Sequence, residues 1–441
     1  INDNSSYYGS MAQPRRHFAV HYLLFRFLGL GWWHHPDEED LRNFFGFYLY
    51  YAIITQVVWV IGFVGLESLD PFIGEKDMDR FMFSLAFVVT HDLTLIKIFI
   101  FFFSNRKIQE IVRILDVDIH RFYQNNEMND RTVRVTRILT GTFLVFGWLT
   151  IANTDAYGIT QDIKWKAEIS GYNSSEDIPP RTLPQPIYIP WSYQSNFSYI
   201  LTFLLETIGL LWTGHIVMTL DSFIASVILH MSNQFAILQE AFTTAYSRSI
   251  ADLSEHLTAD RDTLDFTSQL LDEDNEETIR KYYTEKQIES AIESTLLNCF
   301  RQHQLLIRCV EDFAKTYSYG FMTQLLSSTA AICTVMVQLS QDASSFKSVR
   351  LVTSLAFFAA MVTQLAIQCF TASELTAQAG LVSEAVMHSN WERMPARLRR
   401  LLLLTMMRAQ RPLQLSAAGF VILNNECFLA VSIQHESLPK P

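Results

Sequence analysis

Residues 44–66 read FFGFYLYYAIITQVVWVIGFVGL, 23 residues without an Asp, Glu, Lys, Arg or His. An α-helix rises about 1.5 Å per residue, so this run reaches across the ~30 Å hydrocarbon core of a bilayer. Water is absent there, and only a helix or a closed barrel bonds all its backbone groups internally. The rest of the chain is in keeping with a spanning helix. Of 441 residues, 49% are hydrophobic and 13% aromatic, with 33 Phe and only 18% charged, against roughly 25% charged in soluble domains.

Working outward from 44–66, six further segments follow. The second is Phe81–Phe103 and contains His91, Asp92 and Lys97. The third runs over Ile138–Ala156 and the fourth over Tyr199–Met231, the latter long enough to tilt or to extend into water. The fifth is Tyr317–Leu339 and the sixth Leu351–Phe370. The seventh, Leu401–Gln434, is interrupted by Met407-Arg408-Ala409-Gln410-Arg411-Pro412. Charge and a helix-breaking proline at membrane depth survive only inside protein or beside water. The first half of this segment is therefore expected at the inner membrane surface and the second half within the membrane. The fold class is all-α: a membrane protein of seven transmembrane helices with a broken seventh. The chain divides into an interfacial N-terminal segment (1–42), helices one to four (43–232), a long loop (233–309) and helices five to seven (310–441). In that loop, Asn233–Tyr246 reads as a continuation of segment four and Asp252–Glu277 as a weakly patterned acidic stretch expected to be mobile. Thr284–Phe313 regains helical spacing and leads into segment five.

Basic residues orient the chain. The N-terminus, residues 106–137, loop 233–309 and residues 381–411 hold 24 Lys and Arg, whereas the intervening loops and the C-terminal tail hold 8. The N-terminus is thus expected in the cytoplasm and the C-terminus outside, in a multi-pass plasma-membrane protein. The sequons at Asn173 and Asn196 both fall on the predicted outer side, as glycosylation requires.

Several functions find no support. The net charge of −11 is wrong for nucleic acid, and its acids concentrate in the long loop. None of the five cysteines falls in a predicted outer loop, and they read as buried thiols. No nucleotide, hydrolase or zinc motif is present, so neither an enzyme nor a cofactor is expected. Trp32-Trp33-His34-His35-Pro36-Asp37 matches no metal spacing; Asp37 reads as a helix cap and the tryptophans as an interfacial anchor. His91, Asp92 and Lys97 are intramembrane ionisable groups and hence functional candidates, with Glu206 and His215 as partners for a proton relay. The plainer reading is that His91 and Asp92 bond within the bundle while Lys97 reaches for the inner membrane surface.

Aromatic and sulfur side chains gather toward the outer halves of segments two, three, four and six: Phe81, Met82, Leu144, Trp148, Tyr199, Phe203, Phe358 and Met361. They suit either ordinary packing or an interhelical pocket for a small hydrophobic ligand.

Three stretches are similar to the insect odorant receptor family. They are Phe25-Arg26-Phe27-Leu28-Gly29-Leu30-Gly31-Trp32, the run from His303-Gln304-Leu305 through Glu311-Asp312-Phe313 to Gln338-Leu339, and the C-terminal series. The last holds Ser389-Asn390-Trp391, Met406-Met407-Arg408-Ala409-Gln410-Arg411-Pro412-Leu413 and Leu415-Ser416-Ala417-Ala418-Gly419-Phe420. The resemblance implies a tetrameric, nonselective cation channel gated by small volatile ligands, built from identical subunits or with a co-receptor subunit. It implies an odorant pocket in the outer half, with Trp148 the foremost candidate. It also implies an inner anchor from segments five to seven and a pore lined by the last half-helix from Asn424-Asn425-Glu426. Here the tail ends in His435-Glu436-Ser437-Leu438-Pro439-Lys440-Pro441, so Val431 and Gln434 stand in as pore residues.

Two other families compete. A G-protein-coupled receptor needs an outer N-terminus and usually an outer cysteine pair, and neither fits. A gustatory-type channel of the same superfamily is the nearer alternative.

Overall fold

The computed structural model describes residues 17–31, 45–73, 78–169, 181–259, 275–342 and 349–433. These form helices α1 (Ala19–Phe27), α2 (Phe45–Thr55), α3 (Phe63–Ile73), α4 (Met78–Phe103), α5 (Asn105–Asp116), α6 (Asn126–Ile169) and α7 (Asn196–Thr243). There follow α8 (Ala245–Ala259), α9 (Asn275–Tyr282), α10 (Glu285–Asp342), α11 (Val349–Met387), α12 (Ala396–Ala409) and α13 (Asn425–Ile433). A π-helical turn, Gln56–Gly62, joins α2 to α3, and short 3-10 turns follow α5 and α11. Between α12 and α13, strands β1 (Ser416–Ala417) and β2 (Val421–Ile422) pair antiparallel, with Ser416 opposite Ile422.

Five helical runs among the described residues are long and apolar enough to cross a membrane. They correspond to segments one, three, four, five and six. Segment two is α4. Its apolar half, with the amphipathic α5, forms a pair bent by 73°. The bend turns Ile108, Ile111, Val112 and Leu115 of α5 into the core while Arg113 stays in the open. Segment seven is α12, the hairpin and α13. The hairpin turn places Ala418 at φ 49 and Gly419 at φ 77, which takes the chain out of helix where the arginines and proline predict a break.

Three helices outrun their apolar cores. α6 continues past Ala156 to Ile169 because its polar end is satisfied locally: Lys166 bonds Asp162 at 2.8 Å one turn away. α7 and α10, of 48 and 58 residues, run unbroken through positions 232 and 309. Their extensions pack with α8, α11 and α12 around Phe235, Leu238, Phe242, Leu296, Leu306 and Leu402. The acidic stretch from Asp252 begins on α8, and its middle, like Trp32 to Asp37 and Asn173, lies outside the described residues.

The Phe-Leu-Gly-Leu-Gly stretch after α1 is a close crossing. Gly29 has φ +74, and a Cβ there would lie 2.6 Å from Thr55 Oγ1 and 3.1 Å from Ala52 Cα. At Gly31 a Cβ would meet the Tyr48 hydroxyl at 2.6 Å. That hydroxyl instead accepts the Gly31 N–H at 2.8 Å and donates to the Arg26 carbonyl at 3.0 Å. Gln56 donates to the Leu28 carbonyl at 2.7 Å, and the π turn opens at this residue. Gly29→Ala is therefore expected to destabilise the protein by about 1–3 kcal/mol, since it combines left-handed strain with a clash. Gly65→Ala, where a Cβ meets nothing within 4 Å, is expected to leave stability equal or higher. Thermal melting of the detergent-solubilised variants compares them directly.

Candidate ligand-binding site

A cavity of about 110 Å³ lies between α4, α6, α7 and α11, the helices of segments two, three, four and six. Each contributes one face at helical spacing. From α4 come Phe87, Thr90 and His91, and from α6 Thr142, Phe143, Phe146, Gly147, Thr150, Ile151 and Thr154. From α7 come Leu210, Gly214, Val217, Met218 and Asp221, and from α11 Phe357, Ala360, Met361, Thr363, Gln364 and Ile367.

Four of the five threonines make this wall less polar than its composition suggests. Thr90, Thr142, Thr150 and Thr154 donate their hydroxyls to carbonyls of their own helices at 2.9–3.0 Å. The proton is thereby spent on the backbone, and such a residue meets a ligand largely through its methyl group. Gly147 makes room for Met218: a Cβ there would lie 1.6 Å from the Met218 methyl carbon. The thioether thus fills the gap between α6 and α7 with a side chain that can change shape.

At one end of the cavity three helices meet on one carboxylate. Asp221 of α7 is fully buried and receives both the Lys97 ammonium of α4 and the Gln364 amide of α11. Lys97 is only 6% exposed. It does not snorkel toward the membrane surface as the sequence suggested, because a buried opposite charge lies within its reach. Asp221 itself, an acid inside a long apolar helix, was a readable signal that sequence reasoning passed over.

At the opposite end the segment 181–195 folds over the helices. Arg181, 1% exposed, bonds Asp162 at 2.6 and 2.7 Å and lies 3.7 Å from the Tyr199 ring centroid and 4.7 Å from that of Trp165. Its guanidinium also reaches Asn196 Oδ1 at 3.2 Å. Pro184 sits where a Cβ on Gly158 of α6 would be, 2.5 Å from its Cγ. Beneath it, the Gln185 N–H donates to Glu206 at 2.7 Å and its side chain reaches Glu67 at 3.3 Å. Glu67 also lies 2.6 Å from His91 Nδ1, while Ser68 donates to Asp92 at 3.0 Å. His91 and Asp92 are thus held within the bundle. Glu206 joins His91 through Gln185 and Glu67 rather than directly.

Of the eight residues singled out from sequence, Met361 lines the cavity. Leu144, Trp148 and Phe358 lie one position from the lining residues Phe143, Gly147 and Phe357, on neighbouring faces. Trp148 is 52% exposed and donates its indole N–H to His215 at 2.8 Å. Phe81 and Met82 lie near the start of α4, Phe81 six residues or about 9 Å along the helix from Phe87. Tyr199 is buried against Arg181, with the Phe203 ring 6.1 Å away, near the start of α7. Val431 on α13 is half-buried against the core, and Gln434 lies outside the described residues. Asn196 is exposed at the first turn of α7.

Two variants test the architecture of the site. Lys97→Met leaves the Asp221 carboxylate buried without its cation and is expected to cost about 3–5 kcal/mol. Adding Asp221→Leu is expected to recover part of that loss, read as a melting temperature between those of the single variant and the wild type. Equal melting of the single variant and wild type would show that the pair contributes nothing.

Comparison with known proteins bears on this arrangement. The profile of the 7tm Odorant receptor family matches residues 77–432. Odorant receptor 2a of Drosophila melanogaster is 26% identical over 136 residues, 29% of this chain and 34% of that protein. Putative odorant receptor 19b of the same fly is 22% identical over 436 residues, covering 95% of this chain and 93% of its own. The insect olfactory receptor OR5 from Machilis hrabei has a similar fold, with a TM-score of 0.69 at 11% identity, covering 94% of this chain and 93% of OR5. Its complex with eugenol gives 0.68 at 12% identity, covering 95% of each. With the family profile spanning most of its length, this chain belongs to the 7tm odorant receptor family.

Proposed function

We propose that the chain is a subunit of an odorant-gated, nonselective cation channel of the plasma membrane. The observation that carries this reading is the largely apolar cavity among α4, α6, α7 and α11 in a chain of this family. A volatile ligand binds there by burial and dispersion, with Met361 in direct contact. Leu144, Trp148, Phe358, Phe81 and Met82 support the surrounding walls, and Tyr199 and Phe203 the outer cap. The eugenol-bound OR5 structure supports a ligand of this size and character.

The same reading puts the N-terminus and the extensions of α7 and α10 in the cytoplasm, and the C-terminus outside. It places Asn173 and Asn196 where a glycosyltransferase reaches them. Four subunits, identical or including a co-receptor, assemble through the inner helices. Leu403, Leu404 and Met407 of α12 are exposed apolar residues available for that contact. Val431 and Gln434 are the pore residues of this reading.

Helix α11 connects ligand and pore in this scheme. From Gln364 at the cavity it runs to Phe370 and Ser373, where the Phe370 ring packs 5.3 Å from that of Phe428 and the Ser373 hydroxyl accepts the Asn425 N–H at 3.0 Å. A ligand that favours one position of α11 therefore biases α13, by as much as its affinity differs between the two states. Phe370→Ala is expected to blunt the maximal response more than it shifts ligand sensitivity.

The deciding experiment is whole-cell recording from cells expressing this chain, alone and with an odorant receptor co-receptor, challenged with volatiles. Ligand-evoked, nonselective cation current in either setting is expected. Silence in both, with the protein at the cell surface, would overturn the reading. Within responding cells, Gly147→Ala should shift sensitivity among bulky ligands by displacing Met218, with surface levels as the control.

A further inference from the structure

Among the residues that line the cavity, one buried acceptor has no donor. Gln364 is only 4% exposed and lines the cavity from α11. Its amide nitrogen donates to Asp221 Oδ2, while Asp221 Oδ1 receives Lys97. A carboxylate facing an ammonium acts as an acceptor, so the amide must present its NH2 to Asp221, and its carbonyl oxygen must point elsewhere. That oxygen, Oε1, is buried and has no hydrogen-bond partner among the described residues. None of the five wall threonines supplies one: Oε1 has no partner, and the hydroxyls of Thr90, Thr142, Thr150 and Thr154 donate to their own helices.

We infer that Gln364 Oε1 is a specificity-determining acceptor, and that the preferred ligands of this cavity carry a hydroxyl donor on an apolar body. Alcohols and phenols are that class. The hydrocarbon part fills the space among Phe146, Met218, Phe357 and Met361, and the hydroxyl donates to Gln364. Ethers, esters and hydrocarbons of the same shape leave the buried carbonyl unpaired and bind less well, because a site built to hydrogen-bond a group discriminates against the analogue that lacks it. Asp221 and Lys97 act through Gln364. By fixing the NH2 toward the carboxylate they hold the carbonyl in one orientation.

The inference rests on the channel reading above, and the test separates the two. Concentration–response curves are recorded for para-ethylphenol against its methyl ether, and for hexanol against methyl hexyl ether. In the wild type the hydroxyl compound of each pair is expected to be about tenfold more potent, which corresponds to about 1.4 kcal/mol. In Gln364→Leu and Gln364→Met the ratio within each pair should fall to about twofold or less, with surface labelling reporting folding. Equal potency within the wild-type pairs would overturn the inference while leaving the channel reading intact. So would a tenfold preference that persists in both variants, or responses to volatiles that include no alcohol or phenol. If neither variant reaches the surface, the wild-type ratios decide. Silence to every volatile, with and without a co-receptor, overturns the channel reading and this inference with it.

Discussion

One carboxylate ties the membrane part of this protein together. Asp221 is fully buried, and a buried charge needs partners close at hand. They come from two other helices, Lys97 on α4 and Gln364 on α11. Apolar surfaces give helices little reason to choose one neighbour or rotation over another inside a bilayer, since lipid tails are as apolar as leucine. A buried charge demands a specific partner. The pair fixes which face of α4 and α11 looks at α7, and with those faces fixed the lining of the cavity follows.

The opposite end of the cavity is fixed in the same manner by a different set. Arg181 holds the 181–195 segment through Asp162 and the rings of Tyr199 and Trp165, while Gln185 reaches down to Glu67 and Glu206. The cavity is therefore bounded by polar clusters at both ends and by apolar or internally satisfied side chains between them. Every one of those clusters joins elements distant in sequence, so the enclosure exists only once the bundle has formed.

This division explains what could be read from the sequence. The spans were legible because a 23-residue apolar run has one physical meaning, and the broken seventh segment because arginine, glutamine and proline cannot face lipid. The long helices 196–243 and 285–342 were foreshadowed by spacing that continues past the apolar cores. The face of each helix was not legible. On α6 both the side toward lipid and the side toward the cavity are apolar, so Phe143 and Phe146 look no different from Leu144 and Trp148. Large aromatics drew attention to the outward face, whereas the small and hydroxylated residues, Gly147, Thr150 and Thr154, mark the inward one. Lys97 was seen but given the wrong destination, because its partner lies 124 positions away.

The threonine wall has a bearing on how receptors of this type change over generations. Because the hydroxyls of Thr142, Thr150 and Thr154 bond to carbonyls of their own helix, exchanging one of them for valine or alanine removes no bond between helices. Selection on tuning is thereby uncoupled from selection on folding along most of the wall. The ends of the cavity enjoy no such freedom, since altering Asp221 or Arg181 unpairs a buried partner on another helix. Under the proposed function, a lineage can thus vary its ligand range by drift along the sides of the cavity while the two ends stay constrained, without passing through unstable ancestors.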